Sequence, residues 1–385
     1  MIKNSRKLCI LELINVRWYN ACAYYAVTLS LALGKRGHRV IVGGDPESPP
    51  ILVAQKSGLE TYSDLFLSMT NPFSIVYNIK RLSEFIEKER VDIINAHRGE
   101  SHLVAALAIR WNKNNIPLIR TRGDVRSPQN SIFNKYLNNS LTDKIVTTAE
   151  VLKNDYIQKL GIDENKVIKI NSGIDENYFH PQPADVHWKS KLGIAEDTLV
   201  MGIVGRLSPV KGHKYFIQAA DYVLRNCSKR IKFIIAGQDA QIKSSQLQEM
   251  TKGLGIENHF CFIGKVDDVE KIISLLDIGV VSSVGSETIC RSALEYMAMG
   301  KPVVGTTINA IPEIVSDGLN GILVPPEDGA SMGRALLELL ENDQKRIDFG
   351  RKSRELIEEK FTLDKLASQT EKVYFQALKE KKENV

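Results

Sequence analysis

Two hydrophobic periods alternate along the chain. Short apolar runs bounded by turn residues occur at 8–14, 39–42, 92–96, 118–120, 144–147 and 167–170, each the length of a buried strand. Between them, apolar positions recur at helical spacing. One helix covers 21–33 and stops at Gly34 and an Arg-Gly-His turn, Ile75, Val76, Ile79, Leu82, Phe85 and Ile86 form a single stripe, and further helices cover 101–112 and 149–160. Strands alternating with helices in this way predict a parallel sheet covered on both faces. From Gly173 to Pro183 the pattern lapses, a short helix follows at 186–192, and a second series begins with strands at 199–204, 232–236, 260–262, 278–281, 303–305 and 321–324. A last helix covers 361–380. The expectation is an α/β chain of two Rossmann-like parallel-sheet domains facing a central cleft. Residues 1–175 form the first, 176–361 the second, and 362–385 a helix that crosses back to the first. In such folds ligands bind at the carboxyl ends of the strands.

A length of 385 residues and 43% apolar composition are enough for two cores. The five cysteines are scattered without the paired spacing of a zinc or redox site, which points to a reduced, cytoplasmic compartment. Glu12 interrupts the first apolar run, and no window approaches the roughly 20 apolar residues of a membrane span, so a soluble or peripheral protein is expected. The net charge of +5 is uneven. Residues 1–175 hold 24 Lys and Arg against 17 Asp and Glu, and the remainder is slightly acidic. A basic first half suits an anionic membrane surface or a phosphorylated substrate, although ordinary charge scatter gives the same count.

Chemistry concentrates in the second half. At 283–306 a strand, a small polar turn and a helix follow one another, and Gly300 and Pro302 stop the helix. Glu287 falls in the turn and Glu295 on the expected third turn of the helix. Eight residues at about 1.5 Å rise put the two about 12 Å apart, the length of a nucleotide-sugar diphosphate bridge. The helix N-terminus between them offers amides and a positive dipole end to a pyrophosphate. Two glutamates beside an Ala/Met-rich helix are equally compatible with solvated surface charge. The segment 202–213 places Gly205, Arg206, Lys211 and Gly212 between a strand and a helix, bringing two cations to the strand end. It lacks the Gly-Lys-Ser/Thr order of a P-loop and the glycine spacing of a dinucleotide fingerprint.

Gly-Arg-Leu-x3-Lys-Gly at 205–212, Glu-x7-Glu-Tyr-Met-Ala-x-Gly-Lys-Pro-Val-Val from Glu287, and Pro-Glu-Ile-Val-x-Asp-Gly-x-Asn-Gly from Pro312 follow in that order. Together they resemble the donor-binding half of the retaining glycosyltransferases of family 4, which have the GT-B fold. The first half is similar more loosely, through its strand–helix order, Arg36-Gly37-His38 and the strand ending at His97. The resemblance implies that Arg206 and Lys211 hold the donor's phosphates, Glu295 the ribose and Glu287 the transferred sugar. It places Gly264, Lys265 and Val266 near the nucleobase, and the amides of Ile289 and Cys290 at sugar or phosphate, with Arg291 as a further phosphate contact. The family usually has Phe-Gly where this chain has Ile289-Cys290. Many relatives carry a histidine after the fifth strand, where this chain has Gly123. His97 and Asp124 are then the candidates for the sugar-facing role, although a histidine at a strand end is commonly a core residue. Arg120, Arg122 and Arg126 are candidates to grip an anionic acceptor, and Arg17 and Trp18 to line its pocket.

The resulting expectation is a retaining glycosyltransferase that moves a sugar from a nucleotide diphosphate sugar to a hydroxyl of a glycan or glycolipid, such as lipopolysaccharide core or another envelope glycan. It would use no cofactor and no metal, because fixed cations serve the leaving group, and it would have no nucleic-acid partner. It would work in the cytoplasm or at the inner face of the cytoplasmic membrane. The alternatives are a non-catalytic nucleotide-sugar-binding homologue, a nucleotide-sugar epimerase, or a phosphorylase, the last of which needs a cofactor-binding lysine not identified in the chain.

Overall fold

The computed structural model describes residues 6–69, 71–124, 126–285 and 287–383. The chain forms two compact units, Met1–Gly173 with Leu363–Val385, and Ile174–Thr362. In the first, seven parallel strands run β1 (Cys9–Leu13), β2 (Arg39–Gly43), β3 (Glu60–Tyr62), β4 (Ile93–Ala96), β5 (Leu118–Arg122), β6 (Lys144–Thr147) and β7 (Val167–Lys169). Their order across the sheet is β3-β2-β1-β4-β5-β6-β7. Strand order therefore reverses at β1, and the carboxyl ends of β1 and β4 flank the point where ligands enter folds of this kind. Strands buried on both faces read as continuous apolar runs, which is why β1, β4 and β6 are visible in the sequence.

Two α-helices and a strand of this unit escape that reading, and the first of them, Pro49–Lys56, is an eight-residue helix whose buried residues are only Pro50, Ile51 and Ala54. Strand β3 is a three-residue edge with no fully buried side chain, so it has no apolar run. Helix Ile132–Ser140 buries only Leu137 and Asn138 and turns Ile132, Phe133 and Tyr136 to solvent, so its stripe faces the wrong way for a core helix. Strand β5 also extends two residues beyond the expected end. It is therefore Arg122, not Arg120, that stands at its carboxyl terminus.

The second unit has six parallel strands, β8 (Leu199–Val204), β9 (Ile231–Ala236), β10 (Phe260–Ile263), β11 (Ile278–Val281), β12 (Val303–Thr306) and β13 (Gly321–Val324), in the order β10-β9-β8-β11-β12-β13. Its reversal lies between β8 and β11. Helix Arg291–Ala298 is packed by Ala293, Leu294, Tyr296 and Met297, all essentially excluded from solvent. The Val204 amide donates to the Tyr296 hydroxyl at 2.6 Å, which ties that helix to the end of β8. A Cβ on Gly279 would fall 2.3 Å from the Tyr296 ring, so glycine in β11 lets the ring lie flat on the sheet.

The final helix, Leu363–Glu383, belongs to the first unit and is fixed there by charge and by one buried network. Arg36 donates to Asp364 and Glu371 at 2.7 Å each, His38 Nε2 lies 2.9 Å from Glu371, and Lys144 pairs with Glu380 at 2.9 Å. Arg36 and His38 of the Arg-Gly-His turn thus both hold one carboxylate of the last helix. Deeper, Tyr374 donates to Glu12 Oε1 at 2.7 Å, Asn95 Nδ2 donates to the Tyr374 oxygen at 2.9 Å, and Thr121 donates to Asn95 Oδ1 at 2.8 Å. Burial, with Glu12 alongside, holds the Tyr374 phenol well above its usual pKa, so it remains a donor. Tyr374→Phe strips a donor from a carboxylate that has no access to water and should lower unfolding free energy by about 2 kcal/mol. Urea unfolding of the two proteins measures this directly, and coincident transitions would show that the hydroxyl contributes nothing to stability.

Candidate active site

At the strand reversal of the second unit, the loops after β8 and β11 are bonded into one surface. Past β8 the chain stays extended, with the Leu207 amide donating to Gln238 O at 2.9 Å and buried Leu207 anchoring the loop. It then makes a single turn at Pro209–Lys211. Val284 donates to Val210 O at 2.9 Å, and Ser282 Oγ to Lys211 O at 2.7 Å. Gly212 sits at φ +65° where a Cβ would fall 2.0 Å from Ser282 O. Only glycine permits both that conformation and that approach.

This contact carries Lys211 to Glu287. The Lys211 ammonium donates to Glu287 Oε1, and Ser283 Oγ donates to the same oxygen at 2.6 Å. Thr306 in turn donates to Ser283 O at 2.6 Å, so β12 fixes the serine that fixes the carboxylate. Burial works against the charged lysine, but Glu287 outweighs it and raises its pKa. Oε1 of Glu287 is therefore occupied by two donors, which orients the carboxylate and leaves Oε2 for a ligand. Arg206 is exposed and close enough to Lys211 to oppose its charge, so the loop carries two adjacent cations.

The helix after β11 starts at Arg291, so Glu295 lies in its second turn, not the third. A helical rise therefore describes only part of the path from Glu287, and the 12 Å spacing does not follow from it. Glu295 is buried, accepts from Arg291 Nε at 2.6 Å, and has its pKa raised by burial against the pull of Arg291. Cys290 occupies the position before the helix at φ 46°, ψ 51°, with no side-chain cap. It adopts the left-handed conformation usually left to glycine, and its thiol packs into the apolar core among Ala293, Leu294 and Met297. Replacing glycine here thus keeps the turn. Ile289 is also buried. Gly264 and Lys265 are exposed, a Cβ at Gly264 would meet open space, and Val266 is partly buried against the core. A cavity of about 400 Å³ lies beside the Pro209–Lys211 turn, lined by His213, Tyr215, Leu247, Met250 and Glu327 among others, and Gly212 and Val284 of the two donor-side loops form part of its wall.

In the first unit the expected residues divide. Arg120 is buried, donates to Ala96 O at 2.8 Å and Thr121 O at 3.1 Å, and is pushed down to about 10 by burial. It holds strand ends together and presents no surface to a ligand, which corrects its assignment as an acceptor contact. His97 is likewise buried, with Nε2 2.6 Å from Glu12 Oε2, in the network that ends at Tyr374. Asp124, by contrast, lies at the edge, where Arg98 Nη1 donates to it at 3.0 Å and Arg122 Nη2 at 2.8 Å. Arg17, Trp18 and Arg126 are exposed. Arg98, Ser283 and Thr306 were not singled out in the sequence. Arg98 follows directly on the strand-end His97, but Ser283 and Thr306 sit in no recognisable spacing. Among the described residues, no group of three or more His, Cys, Asp or Glu is placed to hold a metal ion, and no helix is long and apolar enough to cross a membrane.

Residues 186–356 match the model of the glycosyl transferases group 1, and residues 23–178 match that of glycosyltransferase family 4. The chain belongs to the family 4 glycosyltransferases of group 1. Among its relatives, N-acetyl-alpha-D-glucosaminyl L-malate synthase of Bacillus anthracis is 24% identical over 78% of this chain and 79% of that protein. D-inositol 3-phosphate glycosyltransferase 2 of Catenulispora acidiphila is 26% identical over 67% of this chain and 65% of that protein. The fold of the transferase matches that of a glycosyltransferase from Rickettsia africae, with a TM-score of 0.87, 20% identity, and coverage of 97% of this chain and 99% of the other. It also matches Anabaena HepE in complex with UDP, with a TM-score of 0.83, 20% identity, and coverage of 96% and 100%. The two units of the transferase thus have the α/β, parallel-sheet construction of GT-B glycosyltransferases.

Two consequences of this geometry can be measured without any substrate. Lys211→Met and Glu287→Gln should each destabilise the transferase by about 2–3 kcal/mol, because each strands a partly buried partner. The double variant should lose clearly less than the sum, and strict additivity would show that the pair is not coupled. His213, buried at the start of the next helix, has its pKa pushed down from 6.5 to about 4, chiefly by burial and then by Lys211, with the Ser208 backbone pulling the other way. The unfolded chain therefore binds the proton first as pH falls. Stability from the neutral ring is intact above about 6.5 and is lost toward 4, by about 2 kcal/mol at pH 5. His213→Gln should flatten the fall in melting temperature between pH 7 and pH 5, and an equally steep fall in the variant would contradict this account.

Proposed function

We propose that this glycosyltransferase moves a sugar, with retention of configuration, from a nucleoside diphosphate sugar to a hydroxyl of a glycan or glycolipid acceptor. The observation that carries the reading is the joining of Lys211 and Glu287 at the strand reversal of the second unit, beside Arg206 and an uncapped helix start. Departure of the sugar leaves negative charge on the diphosphate and positive character on the ring carbon. Arg206, Lys211 and the amides at 289–291 supply fixed positive charge for the first, so the chain's own groups serve the leaving group. Glu287, oriented by Ser283 and Lys211, offers Oε2 to a hydroxyl of the transferred sugar. Glu295 is assigned to the ribose, where a buried carboxylate discriminates hydroxyl pairs. Among the described residues, the two carboxylates of this site are each held by a cation, Glu287 by Lys211 and Glu295 by Arg291, and same-face attack by the acceptor is the proposed mode of retention.

A uridine diphosphate donor is supported by the fold shared with HepE, which was solved with UDP and with UDP-glucose. An envelope glycan as acceptor is supported more distantly, by the lipopolysaccharide outer core galactosyltransferase WaaB, which matches with a TM-score of 0.71 at 14% identity. Work at the inner membrane face is consistent with the exposed Ile132, Phe133 and Tyr136 beside Arg126 and Lys135.

Calorimetry with UDP, followed by turnover of UDP-glucose, UDP-galactose and UDP-N-acetylglucosamine against glycan acceptors, tests this reading. Arg206→Ala should lose roughly 10²–10³ in kcat, the scale of removing one transition-state charge partner. Glu295→Gln should weaken UDP binding with little change in kcat, because ribose contacts are the same in substrate and transition state. Glu287→Gln should lower kcat while UDP affinity holds. UDP binding without turnover of any of these donors would favour a non-catalytic binding protein, and full activity of Arg206→Ala would remove the proposed catalytic basis.

A further inference from the structure

The carboxyl ends of β1, β4 and β5 gather more positive charge than the fold itself requires. Arg17 follows β1, Arg98 follows β4, Arg122 ends β5 and Arg126 follows it, against three carboxylates among the described residues, Glu100, Asp124 and Asp155, the last already paired with Lys159. Glu100 is taken up by Asn15 Nδ2 at 3.4 Å. Asp124 is shared, accepting from Arg98 at 3.0 Å, Arg122 at 2.8 Å and the Arg126 amide at 3.2 Å. Two guanidinium groups therefore converge on a single carboxylate. Arg122 also donates to Arg126 O and bonds with Tyr156, but among the described residues Arg98 Nε and Arg122 Nε are buried with no hydrogen-bond acceptor. The helix Gly99–Trp111 begins here, with Arg98 as its N-cap, and turns its positive dipole end to the same edge. His97 offers no compensating group, because it is spent on Glu12. Donors outnumber acceptors, and buried N–H groups of a guanidinium are costly to leave unpaired.

We propose that the acceptor substrate carries an oxyanion, a carboxylate or a phosphate, seated against Arg98, Arg122 and Arg126 beside Asp124. In this arrangement Asp124 is a positioning residue. It holds two long side chains in a fixed fork, so little rotamer freedom is lost when a second anion arrives. A planar or tetrahedral oxyanion accepts in bidentate fashion from such a fork, where a neutral hydroxyl satisfies one N–H at most. The charge excess remains positive with Asp124 in place, so the incoming anion meets attraction. This inference depends on the proposed transfer reaction only for the word acceptor.

The test uses the whole chain saturated with UDP, so that added anions cannot occupy the donor side. Glucose 6-phosphate, glucuronate and glucose are titrated by calorimetry. The expected result is binding of the two anionic sugars at least about tenfold tighter than of glucose, weakening with salt. A preference between the two anions assigns the oxyanion as phosphate or carboxylate. Arg126→Gln, at an exposed position where misfolding is not expected, and Arg98→Gln should each weaken the anionic sugars by roughly tenfold or more, while Arg122→Lys keeps the charge and loses the fork. UDP binding should be unchanged in all three. Equal affinity for glucose and glucose 6-phosphate, or anion binding that survives the Arg98→Gln/Arg126→Gln double variant, would overturn the inference even with UDP binding and donor turnover intact. Loss of UDP binding in the unmodified chain would instead count against the transfer reaction.

Discussion

The second unit depends on one close approach of backbone to backbone. Gly212 lies against the carbonyl of Ser282 at a distance no Cβ permits, and that contact brings the turn after β8 onto the loop after β11. Every donor-side feature follows from it. The Ser282 hydroxyl bonds to Lys211 O, Val284 bonds to Val210 O, and the Lys211 side chain then has Glu287 as its nearest anion. The two loops come from strands adjacent in the sheet but far apart in sequence. A site at a strand reversal is built from such loops because the helices that leave the two neighbouring strands diverge and open a crevice.

Each unit holds a buried carboxylate whose orientation is set by donors around it. Glu12 is closed to water, yet each of its oxygens has a partner, Tyr374 on one and His97 on the other. Glu287 concentrates two donors on one oxygen and keeps the other available. The first arrangement is complete within the protein and fixes the last helix to its sheet. The second has capacity to spare, and spare capacity on an oriented, poorly solvated carboxylate is what a ligand can use.

Much of the fold was legible because parallel strands are buried on both faces, so β4, β6, β8, β11 and β13 stand out as apolar runs. Edge strand β3 was not, since an edge has no such run, and neither was helix Ile132–Ser140, whose large apolar residues face outward. On the donor side, Gly205, Arg206, Lys211, Gly212 and the two glutamates were visible through their spacing around a strand and a helix. Ser283 and Thr306 were not visible, because a serine that holds a carboxylate looks like any turn serine until β11 and β12 are paired. Arg120 was misread for a related reason. Arg120 and Arg122 are two residues apart and share one face of the strand, and with β5 running on to Arg122, Arg120 lies within the sheet while Arg122 ends it.

Cys290 shows how far a departure from a familiar pattern can mislead. Glycine is favoured before a helix start because left-handed backbone strains a residue with a Cβ, by about 1 kcal/mol. A cysteine there suggests that the turn itself has changed. In the structure the turn is kept, and the buried cysteine joins the apolar core with its thiol beside the Ala293 amide. Burial drives its pKa upward, so it remains a neutral thiol and adds no charge beside Glu287. The local strain is offset by packing. The charges that select a ligand are therefore set by Lys211, Arg206 and Glu287.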